Sequence, residues 1–329
     1  MTSSASKTNS LHQMKQILVI GSRGSKLALT QARFVQSELE RLNPSLATRI
    51  EIVTTSGDVK TDPLAVIGGK GVFTRELEEA LLDGRVDVAV HSLKDLPTII
   101  PERLHIAAIG QREDPRDALI IRADIFELCK TLESLPAGAT IGTSSTRRLA
   151  QLKHLKRDAT LKDLRGNVDT RLAKLDRGEY DAVILAAAGL RRLGLERRIS
   201  VMFSPSDMLP SPGQGALGLE TRADDAQTIA AVSLLDHYAT RIACTAERAF
   251  LRELGGGCQL PIAAHAVVAD QLLHLDGLVA DTDGRQILRD KVTGGTNQAE
   301  QLGKSLATEL IARGAKELLS QLDSLHGIS

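Results

Sequence analysis

The stretch VDVAVHSLKDLP, residues 86–97, begins with a short apolar run that is typical of a buried strand. Ser92, Lys94 and Asp95 follow this run in a polar loop. In an open α/β sheet the binding crevice lies beyond the carboxyl ends of the strands, where this loop would stand. We therefore interpret these three residues, with His91, as candidates for acid–base or anion-binding chemistry. A solvated polar loop explains the same pattern equally well.

Strand and helix patterns alternate on either side of this stretch. The strand candidates are residues 17–20, 49–54, 86–90 and 104–109, and the helix candidates are residues 27–42 and the segment around Phe73, Leu77 and Leu81. Strands separated by helices predict parallel pairing in a layered α/β domain. The polar stretch GQREDPRD, residues 110–117, contains a proline and is typical of a linker.

The same alternation begins again after this linker. The strand candidates are residues 118–121, 139–142, 160–164 and 181–185, and the helix candidates are residues 144–155 and 168–175. Residues 204–213 hold three prolines and predict a second connection. Two long helix candidates follow at 224–235 and 240–254, then strand candidates at 262–269, 271–280 and 285–292, and a final helix at 299–312. Short polar turns between those strands predict an antiparallel meander, and hence a small α+β domain after two α/β domains.

Composition argues against several classes of protein. The 329 residues carry 41 Lys and Arg against 41 Asp and Glu, so the basic excess of a general nucleic-acid binder is missing, although a local basic cleft is compatible with an even total. Aromatic residues make up only 2% of the chain, too few for a stacking platform for single-stranded nucleic acid. No apolar run approaches the roughly 20 residues that cross a bilayer. We expect neither a nucleic-acid partner nor a membrane.

The cysteines and the first residues indicate the compartment. Cys129, Cys244 and Cys258 are an odd and sparse set, which argues against a disulfide framework and for a reducing environment. Residues 1–15 are polar and lack the apolar segment of a secretory signal, so we expect a frayed tail there. These features predict a cytoplasmic protein.

Arginines and hydroxyl residues recur where predicted strands end. Residues 21–25, GSRGS, match neither GxGxxG nor GxxxxGK[ST], so we do not predict a nucleotide loop. Arginines at or after the end of a predicted strand, in places beside hydroxyl residues, recur in GTSSTRR at 142–148, in LRGN at 164–167, and near Arg171, Arg191 and Arg192. Arginine binds both oxygens of a planar carboxylate, so arginines that converge on one cleft predict a polycarboxylate or phosphate ligand. Scattered, solvated arginines are the ordinary alternative.

Cys258 stands in the glycine-rich sequence GGGCQLP, residues 255–261. Three glycines leave an open approach to the thiol, whereas a buried structural cysteine usually lies within an apolar element. A reactive thiol and a packed thiol are both compatible with this pattern. We predict no metal site, because the chain has neither CxxC nor HExxH spacing.

Five motifs together resemble the porphobilinogen deaminase family, also called hydroxymethylbilane synthase. They are HSLKDLP at 91–97, GTSSTRR at 142–148, LRGNVDTRL at 164–172, PGQGALGLE at 212–220 and ERAFLRELGGGCQLPI at 247–262. The motifs agree with the family in order and spacing, and the resemblance runs from about Ile17 to the C-terminus.

The resemblance implies a transferase of tetrapyrrole synthesis. Such an enzyme joins four porphobilinogen units head to tail with loss of ammonia, and then releases hydroxymethylbilane by hydrolysis. Growth begins on a dipyrromethane cofactor, which the resemblance places on Cys258 through a thioether. The resemblance assigns the catalytic role to Asp95, whose carboxylate can stabilise positive charge on a pyrrole nitrogen or shuttle protons.

The resemblance also implies the residues that bind cofactor and substrate. The cofactor-binding set is Ser92, Lys94, Thr143, Ser144, Ser145, Arg147 and Arg148. The substrate-binding set is Arg23, Ser25, Arg165, Arg171 and Arg192. Both sets would face carboxylates, because each pyrrole carries an acetate and a propionate.

The family fold implies two periplasmic-binding-protein-like α/β domains with mixed sheets around a cleft. A small α+β domain with a three-stranded antiparallel sheet follows them. The expected boundaries are a disordered tail at 1–14, domain 1 at 15–110 and 214–234, domain 2 at 116–208 and domain 3 at 238–329. We expect a monomer, and we interpret residues 58–70 as a candidate lid.

A two-domain protein that merely captures small carboxylates is the alternative from another functional class. Its fold would look the same, because fold alone does not determine function. The GGGC sequence and the third domain distinguish the two hypotheses, since a simple receptor needs neither.

Overall fold

The computed structural model describes residues 17–56, 74–257 and 260–325. The predicted tail at 1–14, the candidate lid at 58–70 and Cys258 itself lie outside the described residues. The described residues form two mixed five-stranded sheets and one three-stranded antiparallel sheet, each with helices packed against it. The predicted fold class is confirmed by this arrangement, and we call the three units domains 1, 2 and 3.

Domain 1 is built on a sheet whose strands have the order β2-β1-β3-β10-β4. These strands are β1 Ile17–Ser22, β2 Ala47–Ile52, β3 Val88–Ser92, β4 Leu104–Ile109 and β10 Leu217–Arg222. Strand β1 pairs in parallel with β2 and β3, whereas β10 runs antiparallel to β3 and β4. The parallel pairing predicted from strand–helix alternation is therefore wrong where β10 takes part, because β10 returns from domain 2 and enters in the opposite direction. The mixed sheet implied by the family resemblance is confirmed.

Three helices flank this sheet among the described residues of domain 1. They are α1 Lys26–Leu42, α2 Arg75–Leu82 and α7 Ala226–Ser233. Helix α1 begins at an N-cap in which the Ser25 hydroxyl accepts a hydrogen bond from the Ala28 N–H at 3.3 Å. Its apolar face buries Val35 and Leu39 in a cluster with Ile20 and other strand residues, so the helix closes one side of the sheet.

Domain 2 repeats this design with the strand order β7-β6-β8-β5-β9. Its strands are β5 Asp117–Ile121, β6 Thr140–Gly142, β7 Thr160–Lys162, β8 Ala182–Ala186 and β9 Val201–Met202. Its helices are α3 Ala123–Phe126, α4 Thr146–Leu155, α5 Val168–Asp176 and α6 Ala187–Arg192. Strand β6 is parallel to β7 and β8, and β5 is antiparallel to β8 and β9. The chain passes between domains 1 and 2 through two crossovers, residues 110–116 and 203–216.

Domain 3 contains the predicted antiparallel meander, which is confirmed. Its strands are β11 Ile262–Ala269, β12 Leu272–Ala280 and β13 Ile287–Gly295, and its helices are α8 Tyr238–Glu253, α9 Ala299–Ala312 and α10 Ala315–Leu325. The sequence predicts α9 as the final helix, and this is wrong. Gly314 adopts a φ of +97° after α9, and the chain turns there into one more helix, α10. Short 3₁₀ turns occur at Leu93–Asp95, Glu196–Arg198 and Thr296–Gln298.

One buried carboxylate, that of Glu247 on α8, ties domain 3 to both crossovers. Arg112 of the first crossover donates to its two oxygens at 2.7 and 3.1 Å. The backbone N–H groups of Gly213, in the second crossover, and of Ala266, on β11, each donate to it at 2.7 Å. Burial opposes the charge on Arg112, but Glu247 outweighs burial and raises the pKa of the guanidinium. Four segments of the chain therefore meet at one charge.

We predict that Glu247→Gln will lower the free energy of unfolding by about 3–5 kcal/mol, because the buried Arg112 would lose its balancing charge. Urea unfolding followed by circular dichroism measures the loss. Glu300→Gln is the matched control, since its pair with Arg252, at 2.7 Å, is solvent-exposed. The control should change the free energy by less than about 1 kcal/mol. Equal losses in the two variants would contradict the role assigned to Glu247.

Candidate active site

The loop that carries Asp95 begins where strand β3 ends. It forms the 3₁₀ turn Leu93–Asp95, in which the buried Leu93 and the following Leu96 anchor the turn to the domain 1 core. Asp95 lies between these anchors and is exposed. The Leu93 N–H also donates to the Ala216 carbonyl at 3.0 Å, which fixes the turn to the second crossover. The predicted position just beyond the carboxyl end of a strand is confirmed for Lys94 and Asp95. It is wrong for His91 and Ser92, which are the last two residues of β3 because they continue its pairing with β10.

The loop after β1 lies beside it, because β1 and β3 are parallel neighbours. This loop holds Arg23, which is half-buried, and Ser25, whose hydroxyl caps helix α1. Gln31 of the same helix joins the two loops, since its amide nitrogen donates to the Ser92 hydroxyl at 3.0 Å. Ser92 is therefore oriented from the helix as well as from its own strand.

Three predicted hydroxyl residues of domain 2, Thr143, Ser144 and Ser145, connect the loops after β6 and β7. The Ser144 hydroxyl donates to the Leu164 carbonyl at 2.6 Å and accepts from the Leu164 N–H at 3.1 Å. The Thr143 hydroxyl accepts from the Ser145 N–H at 3.2 Å, and the Ser145 hydroxyl caps helix α4. These side chains hold the shape of the loops from which Arg165 and helix α4 project.

Arg147 and Arg148 are buried and both turn towards Asp117, the first residue of β5. The Arg147 guanidinium donates to Asp117 Oδ2 at 2.6 Å and to the Leu209 carbonyl at 2.9 Å. Arg148 donates to Asp117 Oδ1 at 3.0 and 2.7 Å and to the Ile184 carbonyl at 2.9 Å. Burial opposes the charge on Asp117, but the two guanidinium groups outweigh burial and hold the pKa of its carboxyl well below its ordinary value.

The pKa values of Lys94, in domain 1, and Arg171, in domain 2, each depend on charges from both domains. Burial lowers the pKa of Lys94, Asp95 opposes this, and Arg148 of domain 2 lowers it further. Burial also lowers the pKa of Arg171 to about 10, with Arg148 adding to the effect and Asp95 opposing it. Arg148 thus acts on Lys94, and Asp95 on Arg171, across the cleft between domains 1 and 2. The structure brings Lys94, Asp95, Arg148 and Arg171 together as one cluster.

Arg165 and Arg192 occupy different surroundings. Arg165 pairs with Asp163 at 2.6 Å near the surface. Arg192 donates to the Gly215 carbonyl at 2.7 Å, so it contacts the second crossover. Burial lowers the pKa of Arg192 to about 10, and the charge of Glu113 on the first crossover opposes this.

Cations outnumber carboxylates in the described part of the cleft. Lys94, Arg147, Arg148 and Arg171 are cationic, whereas Asp95, Asp117 and Asp163 are the acids whose charges act on them. An excess of buried or half-buried positive charge is stabilised by an anionic ligand. The arrangement therefore fits a ligand that carries several carboxylates.

Sequence reasoning missed several polar residues that shape this cluster. They are Gln31, Asp117, Gln214 and Glu220. His91 is buried and contacts Glu220 at 3.0 Å, so it packs beneath the loop. Asp117 was assigned to a linker, although an acidic residue directly before the apolar run 118–121 is a usable signal of a buried ion pair.

Two of the three cysteines lie within the described residues, and both are buried. Cys129 and Cys244 are free and buried, and burial raises the pKa of Cys244 to about 12. The residues that precede Cys258 are described: the Gly256 N–H donates to the Leu251 carbonyl at 2.9 Å, at the end of α8. Among the described residues, no three His, Cys, Asp or Glu side chains are placed to hold a metal ion. None of the helices within the described ranges is long and apolar enough to cross a membrane.

Comparison with known families covers nearly the whole chain. Residues 18–230 match the family model described as "Porphobilinogen deaminase, dipyromethane cofactor binding domain". Residues 241–312 match the model of the C-terminal domain of porphobilinogen deaminase. The chain belongs to the porphobilinogen deaminase family. The family resemblance predicted from the motifs is thereby confirmed.

Relatives in this family are similar over almost their full length. The porphobilinogen deaminase of Synechococcus elongatus is 53% identical over 304 residues, which are 92% of this chain and 94% of that relative. The porphobilinogen deaminase of Roseiflexus sp. is 49% identical over 308 residues, which are 93% of this chain and 100% of that relative. Among solved structures, the methionine-binding protein MetQ matches 67% of this chain and 89% of its own, with 11% identity and a TM-score of 0.43.

We predict that Cys244 will resist alkylation in the folded protein. With a pKa of about 12, only about one thiol in ten thousand is ionised at pH 8, and burial excludes the reagent from it. Iodoacetamide treatment at pH 8 followed by peptide mass mapping tests this. Urea-unfolded protein is the control and should be modified at Cys244 rapidly. Comparable labelling with and without urea would contradict the burial and the raised pKa.

Proposed function

We propose that this chain is a transferase that joins four porphobilinogen units head to tail and releases hydroxymethylbilane by hydrolysis. The observation that carries the proposal is the exposed Asp95 beside Lys94 of its own domain and Arg171 of the facing domain. An acid placed among cations suits a substrate that is anionic at its edge and becomes cationic at its reacting ring. Family membership over nearly the whole chain supports the same activity.

We propose that the dipyrromethane cofactor is attached to Cys258 through a thioether. The other two cysteines, Cys129 and Cys244, are buried and are therefore poorly placed to carry a group of this size. When bound, the dipyrromethane supplies the terminal pyrrole to which the first substrate unit is joined. The cofactor-binding set proposed above would hold its carboxylates, with the Lys94 ammonium and the hydroxyls of Thr143 and Ser145 as donors. Arg147 and Arg148 add positive charge beneath them. The Ser144 hydroxyl already donates to the Leu164 carbonyl, so Ser144 supports the loop that carries the other two hydroxyls.

Asp95 has the central part in the proposed reaction. Ammonia leaves the aminomethyl group of an incoming porphobilinogen unit, and the free α-carbon of the preceding pyrrole forms a carbon–carbon bond to the methylene carbon. The same α-carbon then loses its proton, which restores the pyrrole ring. Positive charge develops on the pyrrole nitrogen as ammonia leaves, and the Asp95 carboxylate stabilises this charge. The same carboxylate can pass protons between the rings and the departing amine.

The arginines proposed to bind substrate are Arg23, Arg165, Arg171 and Arg192, together with the hydroxyl of Ser25. The lowered pKa of Arg171, about 10, still leaves the guanidinium protonated at neutral pH. Its charge is therefore present when an acetate or propionate enters the cleft. Its repulsion by Arg148 is relieved when such a carboxylate binds.

We further propose that the protein acts as a monomer in the cytoplasm and requires no metal. Both walls of the cleft come from one chain, so a second copy is not needed to complete the site. The lysine and arginine side chains of the cleft supply the positive charge that a metal would otherwise provide. A sparse, odd set of cysteines suits a reducing compartment.

We predict that the purified protein will be heavier than its chain by two linked pyrroles, and that Cys258→Ser will have the mass of the chain alone. Intact-mass spectrometry measures both. Cys129→Ser is the matched control and should retain the added mass. If the purified wild-type protein has the mass of the chain alone, it is incubated with porphobilinogen and measured again. An enzyme without its cofactor should then gain the mass of two linked pyrroles, whereas a carboxylate-binding protein should not. Added mass on Cys258→Ser would overturn the proposed attachment.

We predict that Asp95→Asn will lower kcat for porphobilinogen consumption by about 10²-fold or more, because the carboxylate charge is lost. The variant should keep its covalent cofactor, and intact mass checks this. Asp83→Asn serves as the control, since Asp83 is an exposed acid at the end of helix α2 and should leave kcat unchanged. Near-normal turnover by Asp95→Asn would remove Asp95 from the catalytic role.

A further inference from the structure

Gln214 is a fully buried residue of the second crossover that contacts both sides of the cleft. Its amide nitrogen donates to the Pro115 carbonyl at 2.7 Å and to Asp117 Oδ1 at 2.9 Å. Its amide oxygen accepts from the Lys94 ammonium at 3.4 Å. One side chain thus connects the first crossover, the buried acid of domain 2 and the loop of Asp95.

The direction of this amide is determined by its partners. A carbonyl oxygen and a carboxylate oxygen both require a donor, so the NH₂ group must face Pro115 and Asp117. Asp117 cannot turn away, because Arg147 and Arg148 hold both of its oxygens. The carbonyl end of Gln214 is therefore left to face Lys94.

The backbone on either side of Gln214 also fixes its position relative to the Asp95 loop. Gly213 has a φ of +74°, and a Cβ there would lie 3.3 Å from the Lys94 backbone nitrogen. The Leu93 N–H donates to the Ala216 carbonyl at 3.0 Å. The crossover and the loop are therefore packed and hydrogen-bonded against each other, with the Gln214 amide between them.

The charges around Lys94 act on its ammonium group in opposing directions. The charged groups that act on it are Asp95 in its own turn, Asp117 on β5, and Arg147 and Arg148 on α4. The two guanidinium groups repel the ammonium, and the carboxylates attract it. A neutral acceptor at a fixed point selects one position for the ammonium among these opposing forces.

We infer that Gln214 is a positioning residue, which holds the Lys94 ammonium beside Asp95 while Asp117 fixes the direction of its amide. The inference rests on the function proposed for this site, in which the Lys94 ammonium binds the carboxylates of an anionic ligand. Gln214 itself need not touch substrate or cofactor.

Titration of Lys94 tests the inference without reference to activity. Protein with ¹³C-labelled lysine is titrated by NMR, and Lys94→Met identifies the Lys94 resonance. Gln214→Met removes an acceptor that stabilises the charged ammonium, so the Lys94 midpoint should move to lower pH. Gln36→Met is the matched control, because Gln36 makes its hydrogen bonds to Thr48, on β2. An unchanged midpoint in Gln214→Met would overturn the inference.

A double-mutant cycle with the full chain tests the consequence for turnover. Gln214→Met should lower kcat/KM for porphobilinogen about tenfold in the wild-type background, as expected for a lost hydrogen bond to a charged group. The same change should have less than about a twofold effect in the Lys94→Met background, because the residue it acts through is gone. Equal factors in both backgrounds would show that Gln214 supports only the fold.

The inference can still be tested if Gln214→Met fails to fold or if the proposed function is wrong. If Gln214→Met does not fold, Gln214→Asn replaces it, since a shortened amide cannot reach both Asp117 and Lys94 and should shift the titration in the same direction. If the wild-type chain does not consume porphobilinogen, the proposed function fails, while the NMR midpoint still decides whether Gln214 positions Lys94.

Discussion

The carboxylate of Asp117 is removed from water, and this single desolvated charge constrains much of the surrounding structure. A buried acid must be matched by donors or cations, because leaving it unpaired costs several kcal/mol. Arg147, Arg148 and Gln214 meet that requirement here, and each of them is buried as a result. The beginning of β5, the first turn of α4 and the second crossover therefore have little freedom to move relative to one another.

Glu247 applies the same principle to domain 3. It accepts hydrogen bonds from both crossovers and from β11, and its own helix, α8, leads directly to the glycine-rich segment before Cys258. Replacing a buried ion pair by apolar residues is often neutral for stability, so such pairs are poorly explained as stabilising contacts. Their geometric effect is clearer, since a carboxylate with several donors fixes the mutual orientation of the segments that supply them. Two such acids, Asp117 and Glu247, stand at the places where the chain changes domain.

The order of strands and helices is predicted well from the amino-acid sequence, because apolar periodicity is a local property. The strands of the meander, helix α1 and the loop after β3 all follow from spacing alone. Strand β10 was missed because LGLETR contains no β-branched run and follows a proline- and glycine-rich stretch. Its antiparallel direction depends on the return of the chain from domain 2, which no local pattern records. Recognising the family supplied the mixed sheets that the periodicity alone did not.

The site shows the same division between local and long-range information. The motifs identify the polar residues near the cleft, and the structure brings Lys94, Asp95, Arg148 and Arg171 together. Spacing cannot show that Arg147 and Arg148 turn towards an internal acid 30 and 31 residues away in the chain. Gln31 and Gln214 escaped notice for a related reason, since a neutral amide gains its importance from partners that are distant in sequence.

The position of β10 in the centre of domain 1 also bears on how the chain is made. Domain 2 is one continuous segment between the crossovers, so its sheet can close as soon as β9 has left the ribosome. The sheet of domain 1 must wait for β10, which arrives about a hundred residues after β4 has emerged. Until then β3 and β4 have unpaired edges facing each other across a gap of one strand. The inserted domain is therefore the natural first folding unit during synthesis, and the nascent first domain is the part that most needs protection from aggregation.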